Sequence, residues 1–99
     1  MAEIKSTTFA EDVGAEFAVL GEPGGVFSLT LTKIVQHSKT EHQEAFSLFF
    51  HGPRAPFLPQ GIRKLRHAKL GELEIFLVPV GQDPDGFEYE AVFNYLSQA

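Results

Sequence analysis

The sequence predicts an all-β fold, a small antiparallel barrel or a compact two-layer roll of about six strands, with at most one short helix near the N-terminus. Three observations lead there. Apolar residues recur with a period of two far more often than with the 3.6 of a helix. Turn-forming clusters, "GEPGG" and "QDPDG" among them, punctuate the runs. Some runs carry apolar residues on both faces, which favours closure over an open sheet. The 99 residues make one domain, residues 1–99, and 43% apolar content with ten phenylalanines is rich enough for a packed core.

The one candidate helix is "TTFAEDVG", where Thr8 would cap the amide of Glu11 and Gly14 would supply a left-handed stop. Residues 16–20, "EFAVL", form a first apolar run. "VFSLTLTKIV" sends Phe27, Leu29 and Leu31 to one face and Ser28, Thr30 and Thr32 to the other, a half-buried strand. The polar stretch 36–44 reads as an exposed connection, after which "AFSLFFHG" places Phe46, Leu48 and Phe50 together, opposite Phe49. "IRKLRHA", 62–68, is charged enough to suggest an exposed or edge strand.

In "ELEIFLVPVG", Leu73, Ile75 and Leu77 share one face and Phe76, Val78 and Val80 the other, so the strand is expected to be covered on both sides. Pro79, which cannot donate to a ladder, marks a rim, bulge or edge. "QDPDG" is a hairpin, with Asp supplying local hydrogen bonds and Gly86 a positive φ. The last strand aligns Phe87, Tyr89, Ala91, Phe93 and Tyr95 against Glu88, Glu90 and Asn94.

Taken together, "FSLFFHGP", "LPQG", "LGELEIFLVPVG" and "YEAVFN" resemble the motifs of a family of small uncharacterised bacterial proteins, over roughly residues 8 to 95. That resemblance implies no activity and no site residues. Neighbouring phage-tail-collar-like genes imply an assembly or accessory role for some members.

The residues themselves exclude much chemistry. With no cysteine there is no disulfide, thiolate metal site or Cys nucleophile. His37, His42, His51 and His67 lack the spacing that aims two rings at one metal. Ser28, Ser47, Thr30 and Thr32 occupy polar strand faces, Glu72/Glu74 and Glu88/Glu90 read as solvated pairs, and no Gly-rich phosphate cradle is present. No enzymatic activity and no cofactor are expected. Absence of a secretion signal or an apolar run long enough to span a bilayer predicts a cytoplasmic protein, with signal-less export as the alternative, and no membrane partner.

Charge is polarised. Arg54, Arg63, Lys64, Arg66 and Lys69 cluster in the middle of the chain, whereas residues 70–99 hold six acids and no Lys or Arg. Cross-strand pairing would set Arg63, Lys64 and Arg66 against Glu72 and Glu74. A net charge of −5 opposes nucleic acid.

Pro53, Pro56 and Pro59 are three apart and read as a stiff lip closing one end of the barrel. The function expected is a non-catalytic interaction or assembly module that binds another protein or itself, as an accessory to a phage-tail-like or cell-surface assembly. Its expected contacts are Arg54, Phe57, Gln60, Arg63, Lys64 and Arg66. The alternative is a small barrel binding an apolar ligand.

Overall fold

The computed structural model describes residues 9, 12–22, 26–40, 43–55 and 57–96. It is all-β: β1 (Glu16–Leu20), β2 (Phe27–Lys39), β3 (Gln43–Pro53), β4 (Gly61–His67), β5 (Gly71–Asp83) and β6 (Gly86–Leu96). Every pairing is antiparallel, and the single sheet closes in the order β1-β2-β3-β6-β5-β4, with β4 returning to β1. The helix expected around Thr8 and Glu11 lies outside the described residues, although Gly14 does take a positive φ, 95°.

Alternation fills the interior. Phe17 and Val19, Leu29 and Leu31, Phe46, Leu48 and Phe50, Leu65, Ile75 and Leu77, and Tyr89 and Ala91 are all buried in one core. Phe9 packs in at one end against Phe17, Phe46 and Phe93. A six-stranded ring is narrow, so side chains of this size occupy its middle.

Four local expectations need correction. First, the polar stretch 36–44 is mostly strand: β2 runs to Lys39 and β3 starts at Gln43, because Gln36 bonds Glu44 and His37 bonds Ser47 across the hairpin. Second, β4 is no edge, since β1 pairs with one side of it and β5 with the other. Third, the outer face of β5 is not covered: Phe76 and Val80 are exposed. Fourth, positive φ occurs at Gly14, Gly21 and Gly71 but not at Gly86. Gly86 is instead required by close approach, since a Cβ there would lie 1.9 Å from the Gly52 carbonyl oxygen.

Other readings stand. Pro79 sits at a bulge, between the pairs Pro79↔Tyr89 and Gly81↔Glu88. Asp83 accepts hydrogen bonds from the amides of Asp85 and Gly86 at 2.9 and 2.8 Å, forming the hairpin turn.

Topology also explains the proline-rich segment. β3 neighbours β2 and β6, whereas β4 neighbours β1 and β5, so the connection 54–60 must cross one mouth of the barrel. Leu58 drops into the core there, and its amide donates to the Tyr89 hydroxyl at 3.0 Å. Tyr89→Phe would leave that buried amide without its partner, at a cost of about 1–3 kcal/mol. Hydrogen exchange is expected to show the Leu58 amide deprotected well beyond the loss in global stability.

Candidate functional site

The six residues expected to make contacts fall into three groups. Arg54, Phe57 and Gln60 lie exposed on the lip, with Phe57 packed against Phe87 at 4.8 Å between ring centroids. Lys64 and Arg66 project outward from β4, where their register partners are Glu74 and Glu72, and Arg66 Nη2 meets Glu72 Oε2 at 2.9 Å.

Arg63 belongs to neither group. Odd-numbered residues of β4 turn inward, so its side chain runs along the barrel mouth. There Nη2 donates to the Pro59 carbonyl at 2.7 Å and Nε lies 3.7 Å from Glu22 Oε2. Arg63 therefore latches the lip to β4 and to the turn after β1. Its Cα partner is Ile75, not a glutamate.

Three polar constellations were not foreseen. On the outer wall, Ser47 is buried between His37 and Glu90, with its hydroxyl 2.7 Å from each. A nucleophilic serine donates its proton to a histidine that a third group orients. Here the hydroxyl donates to the Glu90 carboxylate and His37 Nε2–H donates to the hydroxyl, which reverses that order. With Ser47 Oγ enclosed, the trio stitches β2, β3 and β6 together.

At one end of the barrel, buried His67 lies against Phe17, with ring centroids 4.7 Å apart and the planes tilted by 32°, and faces Asp12 Oδ1 at 3.4 Å. Its Nδ1 accepts the amides of Lys69 and Leu70, so the ring proton sits on Nε2, towards Asp12. At the other end His51 Nε2 meets both Asp83 oxygens, at 3.2 and 3.1 Å. His42 lies outside the described residues, and among those described no three His, Asp or Glu side chains gather round a common point. Each trio or pair joins residues far apart in sequence, so local spacing carried no signal of it.

Asp83 is held below the usual aspartate range, first by the His51 hydrogen bond and then by the amides of Asp85 and Gly86. A carboxyl depressed in the folded state adds stability above its unfolded pKa and loses it as pH falls through the folded value. His51→Gln is therefore expected to move the Asp83 titration upward, read by carboxyl-carbon NMR, and to flatten the fall in stability on acidification, because the gap between the folded and unfolded pKa narrows. Glu72 is likewise lowered, chiefly by its Arg66 hydrogen bond, and Arg66→Gln should raise it.

Among the described residues, the large apolar side chains exposed on strands all lie on the outer wall of β4, β5 and β6. Ile62 is 65% exposed, Phe76 49%, Val80 46% and Val92 57%. Ile62 and Phe76 are register partners; Val78 lies two residues beyond Phe76 and faces Glu90, with Val92 two further along β6. Ile62, Phe76, Val78 and Val92 thus share one face across three adjacent strands, and Val80 is exposed at the bulge further along β5. Sequence alternation had placed Phe76 and Val80 together but had not identified this face as open.

Residues 4–93 match the family model described as a domain of unknown function (DUF6916). No curated protein and no solved structure matches the chain.

Proposed function

The chain belongs to the DUF6916 family, whose description assigns no activity, and from its geometry we propose that it is a non-catalytic contact module which engages another protein through the outer wall of β4–β6. The observation that carries this reading is the clustering of Ile62, Phe76, Val80 and Val92 outside a barrel whose interior is occupied by its own side chains. Apolar residues grouped on a protein exterior mark interaction surfaces. Arg54, Phe57 and Gln60 on the lip, with Lys64 and Arg66 beside Ile62, form the flanking contacts; Arg63 supports them by holding the lip in place. The filled interior favours contact over carriage of an apolar ligand. Such a module suits an accessory place in a phage-tail-like or cell-surface assembly, where copies meet partners through repeated surfaces.

A photoreactive phenylalanine analogue at position 76, introduced in cells that naturally make the protein, tests the reading. Discrete protein adducts are expected from position 76 and none from Ser28, an exposed site on the outer face of β2. Absence of adducts at 76, or equal labelling at 28, would remove it.

A further inference from the structure

Pairing between β5 and β6 extends from Asp83↔Gly86 to Val78↔Glu90 and stops. Both strands continue. β5 reaches back to Gly71 under the grip of β4, and β6 runs on to Leu96 beside β3. Among the described residues, the β5-facing backbone edge of Ala91–Leu96 therefore has no strand partner. Open edges of this kind are templates for another strand, and proteins guard them with bulges, prolines and lysines.

β2 is guarded in this way. Beyond Leu31 the strand carries Lys33 and is irregular, its register with β3 shifting at Leu31/Lys33 and Gln36/Ser38. β6 has none of these devices: "AVFNYL" contains no charge and no proline, and its register with β3 is unbroken from Gln43↔Leu96 to Pro53↔Gly86.

We propose that the open edge of β6 accepts an extended peptide strand from a partner protein, a deepening of the contact reading above. The flanks specify its chemistry. Phe76 and Val92 stand exposed on the two banks, so the incoming strand presents an apolar side chain between them. Where β5 closes back on β6 the strand carries Glu88 and Glu90, the latter also accepting the Ser47 hydroxyl, in a part of the chain that holds no Lys or Arg, so the leading end of the incoming strand is basic. Backbone hydrogen bonds give such strand addition its affinity and alternate side chains its specificity. A second copy fits less well, because each copy would bring its own β5 into the same space.

The probe is a short synthetic peptide with valine at alternate positions and lysine at both ends. Expected results are slowed amide exchange within 91–96, and binding weakened by about tenfold or more in three cases: with glutamate ends, with the pairing edge of the peptide N-methylated, and in Val92→Lys. That variant adds a guarding lysine at an exposed position and should leave the melting temperature unchanged. Equal binding of the N-methylated peptide would overturn the proposal, as would unchanged exchange in 91–96. So would a dimer of the free protein that Val92→Lys disperses, since a second copy would then hold the edge. If the peptide fails while position 76 still yields adducts, the contact reading survives without this edge; if both fail, it falls too.

Discussion

Gly86→Ala is expected to destabilise the fold by about 3 kcal/mol, the upper end of what overpacking costs. The added methyl would sit 1.9 Å from the Gly52 carbonyl oxygen, 3.0 Å from the Gly52 carbonyl carbon and 3.1 Å from the Pro53 carbonyl carbon. Those are backbone atoms of the adjacent strand, so no side-chain rotation relieves the clash. β3 and β6 must separate where Pro53 pairs with Gly86 and Gly52 with Phe87, beside the lip. For a domain of this size the melting temperature should fall by roughly 10–20 °C. Gly81→Ala is the control: its added methyl would make ordinary contacts of 3.6 and 3.7 Å with Glu88, and φ is not positive. It should change stability by less than about 0.5 kcal/mol. Calorimetry of the two variants separates close approach from a general intolerance of alanine.

Phe17→Ala should cost about 3–5 kcal/mol, the range for removing a buried aromatic ring. Phe17 is fully buried at the centre of an aromatic group: Phe50 meets it edge-on at 5.4 Å, Phe9 lies at 6.5 Å and His67 packs at a tilt at 4.7 Å. Its removal leaves a void bounded by three other rings, each fixed by separate contacts and therefore slow to collapse inward. β1 is only five residues long, and three register pairs join it to β4. Denaturant unfolding should show the loss in midpoint, and exchange should be fastest among the β1–β4 amides, where the ring closes. Phe76→Ala, on the exposed wall, should change stability far less than Phe17→Ala despite deleting the same side chain.

The contrast between these two phenylalanines shows what the sequence made legible. Inner-facing rows such as Leu29/Leu31, Phe46/Leu48/Phe50 and Tyr89/Ala91 follow from period two alone, because successive strand residues alternate faces whatever lies beyond them. Whether the opposite face is covered depends on neighbours distant in sequence. Phe76 and Val80 looked doubly buried and are not. Likewise, residues 36–39 are polar enough to resemble a loop, yet cross-strand bonds from Gln36 and His37 extend the sheet through them. Arg63 and His67 read as surface charge on β4. They turn inward because the Pro59 carbonyl and Asp12 receive them, and neither partner is local enough for spacing to reveal. Lys64 and Arg66, by contrast, face Glu74 and Glu72 as the alternating charges suggested.

Contact through the outer wall, with the interior filled by the protein's own side chains, is tested most directly by methyl-resolved NMR of the protein titrated with extract from its own cells. Signals of Ile62, Val80 and Val92 should broaden or shift, while those of Leu29, Leu48, Leu65 and Leu77 stay in place. Selective movement of the interior signals, reproduced by a small apolar compound alone, would contradict it.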